Sequence, residues 1–549
     1  MKTASNSGPL LLVLLLAASI SLLAQSPGTA QTASSTAANS SRSPEVASAI
    51  HPLRPAMSSL LITKIVTNKS DILTEQELRN AVSGYERRQV TQNELTQMVD
   101  DINRLYATKG FSTARAVLPP QTVQDGVVHV RLIESRVGKV IVQNNTHTRA
   151  SYFLSRVSMT SGELLKPDKL QQQLAYFNGT NDLKMRAVLQ PGEQFGSTDI
   201  VFQAEGPSDF EFTTFSDNAG RDTIGLYRAG ATVTYKSLFG NRDPLTVNFL
   251  GANGTLMGGV GYSVPLGTRG TRFGGTFSYN AIALNGGVLG STGMVGHSYD
   301  AALRLSHPVF VRTNQAFSGS LSAHYKSSSL SAEGFPLSHT QVRSLELSTE
   351  WQRFDTHGMW FANNMLSGGF ENFNGGFVRY DGLVSRIVTL SPSVSAMFRG
   401  SGQVSAINPL VPIEQMQIGG ATSVRGYPEA ALIGDRAYAA TAELDFPVLR
   451  NDWARKRLKM AAFVDGGAVF EEGLSGSGRP HDTKLLSTGF GFALKLSEHM
   501  SGRIDFGIPL RNKAGIPDVG IHFSVQSTFG FPHRRAVQKA GLNRTTGQD

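Results

Sequence analysis

The amino-acid sequence predicts two small α+β modules followed by an antiparallel transmembrane β-barrel. Three observations lead to this prediction: an export signal at the N-terminus, a β-α-α-β-β pattern that occurs twice between residues 58 and 207, and a series of alternating strands from 208 to 531. Helical periodicity ends where the alternating series begins, so the two types of structure follow one another along the chain.

Residues 1–30 have the pattern of a secretory signal peptide. Lys2 supplies the positive charge, Leu10 to Leu23 form the apolar segment, and Gly28-Thr29-Ala30 offers a cleavage site. The apolar segment is shorter than the roughly 20 residues that a spanning helix needs, which disfavours a membrane anchor. Residues 31–57 are rich in Ser, Thr and Ala and are predicted to be a disordered linker.

Amino-acid composition indicates how the protein is stabilised and which partners it is expected to bind. The 549-residue chain has no cysteine, so this exported protein is expected to rely on hydrogen-bonded architecture rather than on disulfides. The formal net charge is +9, but the Lys and Arg residues are scattered and form no block outside the C-terminal tail. Nucleic acid is therefore not an expected partner.

The first module is predicted over residues 58–137. Its two helices begin with capping boxes, because Thr74 and Thr91 each precede a glutamate by three positions, Glu77 and Glu94. A buried stripe at helical spacing follows the second cap, and Gly110 suits the position after the helix. The strands are predicted at "LLITKIV", "STARAVLP" and "GVVHVRLIE".

The second module, residues 138–207, repeats the order of elements. "GKVIVQN" is a strand, helices follow around "RASYFLSRV" and "PDKLQQQLAYFN", and a hairpin turns at Pro191-Gly192. Each module supplies a small sheet with an open edge to which an extended polypeptide can add a strand.

Residues 208–531 alternate apolar and polar positions between Gly, Asn, Asp and Pro turns. In "YAATAELDFPV" the residues at 438, 440, 442, 444 and 446 are apolar, and the residues between them are mostly polar. A soluble β-sandwich also alternates, but the length of the series and the export signal favour a transmembrane barrel. About 16 strands are expected, an even number.

Several segments resemble transporters of two-partner secretion, of the haemolysin secretion/activation type. In the modules they are "LYATKGFSTARAVLPPQTVQDGVVHVRLIESRVGKV" and "LQPGEQFGSTDIVF", and in the barrel "DNAGRDTIGLYRAG" and "LSHPVFVRTNQAFSGSLSAHYK". The most specific marks are "GGATSVRGY" and, further on, "FVDGG" at 463–467. The resemblance covers nearly everything after residue 58.

The resemblance implies a specific architecture. The modules would be polypeptide-transport-associated (POTRA) domains in the periplasm, and the barrel would have 16 strands in the bacterial outer membrane. A long extracellular loop carrying Val424, Arg425, Gly426 and Tyr427 would fold back into the barrel lumen. Asp465 would point inward from a neighbouring strand and bind Arg425; the alternative is that Arg425 is a solvated loop residue.

The sequence departs from this family at both ends. Members usually carry an N-terminal helix that plugs the barrel, and residues 31–57 offer only a weak candidate, "PEVASAIH". Members also usually end on Phe, whereas here the last strand is followed by residues 532–549, which are expected to hang free in the periplasm.

No catalytic, nucleotide-binding or metal-binding motif stands out, so neither an enzyme nor a cofactor is predicted. The expected function is a pore that recognises an unfolded exoprotein through the POTRA domains and translocates it to the cell surface. A barrel-assembly insertase of the same superfamily and a passive porin or receptor are the alternatives. Expected partners are the exoprotein, outer-membrane lipid and the barrel-assembly machinery. Expected exoprotein contacts are Lys184, Arg186 and Val188.

Overall fold

The structure of the chain is a computed structural model. It describes residues 59–144, 147–287, 290–372, 375–407, 409–449, 451, 457–470, 484–511, 518–531 and 538–542. The predicted signal peptide, the linker and the plug candidate lie outside these residues. No helix in the described ranges is long and apolar enough to cross a membrane.

The first module packs two helices against short strands. Its elements are β1 (Leu60–Ile62), β2 (Lys64–Thr67), α1 (Glu75–Ser83), β3 (Arg88–Val90), α2 (Gln92–Thr108), β4 (Arg115–Val117) and β5 (Val127–Ile133). One sheet has the order β2-β5-β4, with β2 and β5 parallel, and β1 pairs with β3. The predicted helical stripe is buried at its centre, where Met98, Ile102 and Tyr106 are fully inaccessible to solvent.

Both predicted capping boxes are confirmed. Thr74 and Thr91 accept hydrogen bonds from the backbone of Glu77 and Glu94, whose carboxylates reach back to the cap residues. The Lys109 ammonium and the cap hydrogen bonds lower the pKa of Glu77 to about 2. Gly110 follows α2 with a φ of 81°, as expected for the residue after a helix C-cap.

The second module has the sheet order β6-β8-β7 and two helices. Its elements are β6 (Arg136–Asn144), α3 (Ala150–Leu154), α4 (Pro167–Thr180), β7 (Lys184–Pro191) and β8 (Ser197–Glu205). Strand β6 begins at Arg136, before the expected boundary at 138, because Arg136 and Val137 already pair with β8. Val142, Phe153 and Ile200 lie at the centre of the core and are fully buried.

Sixteen of the described strands form one closed antiparallel barrel, as expected. They are β9 (Phe210–Asp217), β10 (Arg228–Tyr235), β11 (Leu245–Ala252), β12 (Thr255–Leu266), β13 (Thr271–Ala283), β14 (Met294–Val311), β15 (Gln315–Ala332), β16 (Phe335–Asp355), β17 (Gly358–Glu371), β18 (Gly375–Ser391), β19 (Val394–Ala406), β22 (Arg436–Pro447), β23 (Leu458–Phe470), β24 (Lys484–Lys495), β25 (Met500–Pro509) and β26 (Gly520–Phe531). Strand β26 pairs with β9 and closes the barrel. The sandwich alternative is wrong.

Alternation along the strands separates an outer apolar surface from a polar lumen. In β22 the outward Tyr438 and Leu444 are 46% and 39% exposed, whereas the inward Thr441 and Glu443 are buried. The outward side chains meet lipid, and their exposure in the isolated chain is the surface that a membrane covers.

A long loop between β19 and β22, residues 407–435, is called the lumen loop here. It contains a short 3-10 helix (Pro412–Glu414) and a small hairpin of β20 (Met416–Ile418) and β21 (Leu432–Gly434). Its side chains contact inward-facing residues of the wall, so the loop lies inside the barrel.

The second module docks on the turns at one end of the barrel through a buried arginine. Arg242, in the turn between β10 and β11, binds Asp209 at the start of β9, with Nη1 2.8 Å from Oδ1. It also binds Asp182, which lies between α4 and β7 of the module. Arg242 and Asp209 are almost fully buried, whereas the Asp182 side chain that reaches Arg242 from the module is 43% exposed.

The C-terminal tail does not hang free over its whole length, contrary to the expectation. Residues Gln538–Leu542 form a strand, β27, that pairs antiparallel with β6. The sheet of the second module therefore has the order β27-β6-β8-β7. The expectation was wrong because the short segment "QKAGL" has no alternation that marks a strand, and its pairing with β6 joins residues far apart in the sequence.

Candidate functional site

Arg425 lies in the lumen loop and makes a two-pronged contact with Asp465 of β23. Its Nε lies 2.7 Å from Oδ2 and its Nη2 lies 2.9 Å from Oδ1, and its backbone N–H donates to Oδ2 at 3.1 Å. The Asp465 side chain is fully buried and the Arg425 side chain is 6% exposed. The structure thus brings these two residues together, and Arg425 is not a solvated loop residue.

The Asp465 carboxylate is one of three that surround Arg425. Nη1 of Arg425 also donates to Glu443 of β22, and it lies 3.6 Å from Asp505 of β25. Arg503 of β25 bridges the same two carboxylates, 2.9 Å from Glu443 and 2.7 Å from Asp505. Two cations and three carboxylates from one loop and three strands therefore form one buried network.

The ring of Phe463 covers the guanidinium of Arg425. The Arg425 Cζ atom lies 3.4 Å from the ring centroid, a cation–π contact. Phe463 and Asp465 lie on the same inward face of β23, and both are buried. The ring shields one side of the guanidinium from solvent, which strengthens the Coulomb attraction to the carboxylates.

Glycines allow the backbone of the lumen loop to contact the backbone of the barrel wall directly. Gly426 has a φ of 93°, and a Cβ there would lie 2.8 Å from the carbonyl carbon of Gly507 on β25. A Cβ at Gly520 on β26 would lie 2.4 Å from the Gly426 oxygen. A side chain at any of these three positions would push the loop away and separate Arg425 from its carboxylates.

The residues on either side of Arg425 add apolar and hydrogen-bonded contacts. Val424 is fully buried with Ile418 and with Val469 of β23. The hydroxyl of Tyr427 lies 3.0 Å from the carbonyl oxygens of both Leu486 and Arg511. All four expected loop residues therefore contact the wall.

A second buried charge, Glu414, anchors the other end of the lumen loop to a different part of the wall. The Glu414 carboxylate accepts a hydrogen bond from Lys326 of β15 at 2.8 Å and another from Arg379 of β18. Its backbone oxygen accepts from Arg379 at 3.0 Å and from Gln403 of β19 at 3.2 Å. The Glu414 side chain is fully buried, so its charge depends on these two cations.

The wall around Glu414 balances the remaining charge. Lys326 lies 3.6 Å from Glu346 of β16, and Arg379 lies 2.7 Å from Asp381. His324 lies 3.3 Å from the other oxygen of Glu346. The two anchors of the loop therefore differ in polarity: a loop cation meets wall carboxylates at Arg425, and a loop carboxylate meets wall cations at Glu414.

The expected exoprotein contacts lie elsewhere, on strand β7 of the second module. Lys184, Arg186 and Val188 pair through their backbone with β8, and among the described strands β7 has no partner on its other side. Arg186 binds Gln203 and Glu205 at the surface, at 2.9 and 3.1 Å. These residues thus occupy an open sheet edge.

Sequence reasoning missed Glu443, Arg503, Asp505 and Glu414. A signal for the first three was present, because each is a charged residue on a barrel strand whose immediate neighbours on both sides are apolar or small. Glu414 carried no such signal, since it lies in the irregular part of the loop.

A family model described as "Haemolysin secretion/activation protein ShlB/FhaC/HecB" matches residues 196–494. A second model, "POTRA domain, ShlB-type", matches residues 60–135. The two matches cover the first module and most of the barrel, including Arg425 and Asp465.

Individual relatives have low sequence identity to this chain, but the similarity extends over most of its length. The heme/hemopexin transporter protein HuxB of Haemophilus influenzae is 24% identical over 483 residues, 82% of this chain and 83% of HuxB. The outer membrane transporter CdiB of Dickeya dadantii is 24% identical over 439 residues, 74% of this chain and 76% of CdiB. The solved structure of CdiB from Escherichia coli has a TM-score of 0.60 at 18% identity and covers 88% of this chain and 93% of its own.

Arg425→Ala and Asp465→Ala are each expected to lower the transport activity of the barrel by more than about tenfold. Each substitution removes one side of the buried Arg425–Asp465 contact, and loss of one partner of a buried ion pair costs on the order of 3–5 kcal/mol where the site is dry. The double variant is expected to transport about as well as the less active of the two single variants, because both substitutions break the same contact between Arg425 and Asp465.

Release of polypeptide to the cell surface measures this activity, and the heat-dependent gel mobility of the barrel reports whether it still inserts. Arg386→Ala is the matched control, since Arg386 binds Asp355 at 2.8 Å on β18 and β16 and does not touch the loop. Simple additivity of the two losses would contradict a shared role for Arg425 and Asp465.

Glu414→Gln is expected to free the first part of the lumen loop while Arg425 stays bound. The substitution keeps the shape of the side chain but leaves Lys326 and Arg379 without the carboxylate between them. Hydrogen–deuterium exchange of residues 410–418 should then speed up by about tenfold or more, equivalent to at least about 1.4 kcal/mol.

Glu498→Gln, on an exposed turn beside Lys495, is the control that removes a carboxylate without touching the loop. Unchanged exchange over 410–418 in the Glu414 variant would show that this carboxylate does not hold the loop.

Proposed function

This chain belongs to the family of haemolysin secretion/activation proteins, and from that premise we propose how its residues carry a polypeptide across the outer membrane. The chain is an outer-membrane pore of the two-partner secretion type, with its POTRA modules in the periplasm. It receives an unfolded exoprotein through these modules and passes it through the barrel to the cell surface. The tandem modules in front of a closed barrel are the observation that carries this function, since a passive pore needs no periplasmic sheet with an open edge.

The first step is recognition at strand β7. An exoprotein segment in extended conformation adds to this edge, where backbone hydrogen bonds give affinity with little demand on sequence. Lys184, Arg186 and Val188 are the residues of β7 that an added strand meets. Arg186 and Lys184 favour acidic positions in that segment.

The second step is passage through the lumen, in which the lumen loop is the regulated element. We assign Val424, Arg425, Gly426, Tyr427 and Asp465 the role of holding this loop in its transport-competent position. The Arg425 and Glu414 contacts join the loop to inward-facing side chains and do not interrupt the strand pairing of the barrel. The loop can therefore change position while the barrel stays closed. A cavity of about 560 Å³ remains between the loop and the wall, lined by Arg221, Arg399 and Glu429 among others.

The family consists of transporters rather than enzymes, and no catalytic role is proposed for this chain. The sequence has no nucleotide-binding motif, so the driving force is assigned to folding of the exoprotein outside the cell, which removes unfolded chain from the pore. Lipid of the outer membrane and the barrel-assembly machinery that inserts such barrels are proposed as the other partners.

A barrel-assembly insertase is the second candidate within the same superfamily. The family match covers residues 196–494 under the description of haemolysin secretion/activation, which favours secretion. A passive porin or receptor is disfavoured by the modules.

The recognition step predicts that Arg186→Cys, carrying a thiol-linked photo-crosslinker, forms an adduct with the exoprotein during secretion. The chain has no other cysteine, so the adduct reports on β7 alone. Arg79→Cys is the control, because Arg79 is equally exposed but lies on helix α1 of the first module. The adduct is identified on gels by its added mass.

Equal adducts from Arg79 and Arg186, or an adduct from Arg79 alone, would contradict docking at β7. The intact chain is needed here, because a fragment ending at 205 lacks β27 and would expose both edges of the second sheet.

A further inference from the structure

The sheet of the second module has two outer edges, and the chain itself covers one of them. Strand β27 pairs with β6 along five positions, with Gln538 opposite Asn144 and Leu542 opposite Val140. At the other side, β7 pairs with β8 and with no further described strand. The two edges of one sheet therefore differ in whether an added strand is already in place.

An uncovered β6 would be a second template for any extended chain. Its residues Val140 and Val142 pack into the module core, with 4% and 0% of their surfaces exposed, so the strand is held in an extended, ladder-competent conformation. Such an edge presents a row of backbone donors and acceptors that accept an added strand with little regard to sequence.

We propose that the C-terminal segment of this chain is a tethered strand that covers the β6 edge, so that an extended polypeptide adds to the second module only at β7. The identity of that polypeptide as an exoprotein rests on the proposed function. The covering of β6 by residues 538–542 does not.

The tether explains how so short a strand remains in place. Phe531 is the last residue of β26, and residues 532–537 connect it to Gln538. A short connection gives the attached segment an effective concentration on the order of millimolar at its binding edge. Five residues that would bind weakly as a free peptide therefore occupy β6, whereas a polypeptide arriving from solution at lower concentration does not displace them.

With β6 covered, the described sheet of the second module has a single edge, β7, at which an extended polypeptide can add. Two open edges would let the same segment add at two positions relative to the barrel. Covering β6 leaves Lys184, Arg186 and Val188 as the edge that a polypeptide meets, next to the junction that Asp182 makes with Arg242 of the barrel.

A disulfide tests the contact in the intact protein. Residues directly opposite on antiparallel strands have Cα atoms about 4.5–5.5 Å apart, within the range for a disulfide. Gln143 is opposite Lys539, and the chain has no native cysteine. The Gln143→Cys, Lys539→Cys variant should form the bond in outer membranes under mild oxidation, and the Arg186→Cys, Lys539→Cys variant should not. No bond in the first variant, or equal bonds in both, would overturn the proposal.

The second test asks whether the tail excludes other strands from β6. The probe is a synthetic peptide of sequence AVQKAGLNR with an added cysteine activated as a mixed disulfide. Its capture by Gln143→Cys should be about tenfold faster in a chain truncated after Phe531 than in the full chain, because a tethered strand at millimolar effective concentration no longer competes. Capture by Arg186→Cys should be the same in both chains.

Ala540→Pro in the full chain gives an independent variant, since proline removes a backbone donor from β27 without shortening the chain. It should speed capture at Gln143 as truncation does. Equal capture at Gln143 in the full chain, the truncated chain and the proline variant would overturn the proposal. Neither test measures secretion, so failure here leaves the proposed function standing, and failure of the proposed function leaves these results unchanged.

Discussion

The contact on which the rest of the lumen depends is the pairing of Arg425 with Asp465 and Glu443. A buried guanidinium without a carboxylate partner is strongly destabilising, and so is a buried carboxylate without a cation. The loop and three barrel strands therefore fix one another's positions. The glycines at 426, 507 and 520 belong to the same constraint, because the ion pair forms only if the backbone of the loop lies against the backbone of the wall.

Glu414 is a second buried charge that fixes the lumen loop to the wall. Arg425 binds wall carboxylates on β22, β23 and β25, whereas Glu414 binds wall cations on β15 and β18. Because the two anchors have opposite polarity, neither end of the loop fits the other end's site, and the loop has one orientation in the lumen. The second module offers a different kind of contact, since the open edge at β7 presents backbone groups that can pair with an extended chain with little regard to its sequence. Specific ionic contacts thus hold the lumen loop in place, whereas the proposed docking of a polypeptide on the second module depends on backbone groups.

Much of the fold could be predicted from the sequence because hydrophobic periodicity and helix-capping motifs involve residues that are close together in the chain. Thr74 with Glu77 marked a helix start, and alternation in "YAATAELDFPV" marked a barrel strand, both as the structure has them. Arg425 and Asp465 were predicted as partners only through resemblance to a family, since nothing local joins residues 40 positions apart. Glu414 and strand β27 were missed because neither has a local pattern: an irregular loop has no period, and the short segment "QKAGL" has no alternation that marks a strand.

The most direct test of the central claim is the distance between the loop and the wall. Nitroxide labels at Thr422→Cys in the lumen loop and Glu498→Cys on the turn between β24 and β25 report it by pulsed electron resonance in outer membranes. The account predicts one narrow distance distribution in the otherwise native chain and a broad one when Arg425→Ala is added, because the loop then loses its ion pair. The same narrow distribution in both chains would contradict the claim that Arg425 holds the loop.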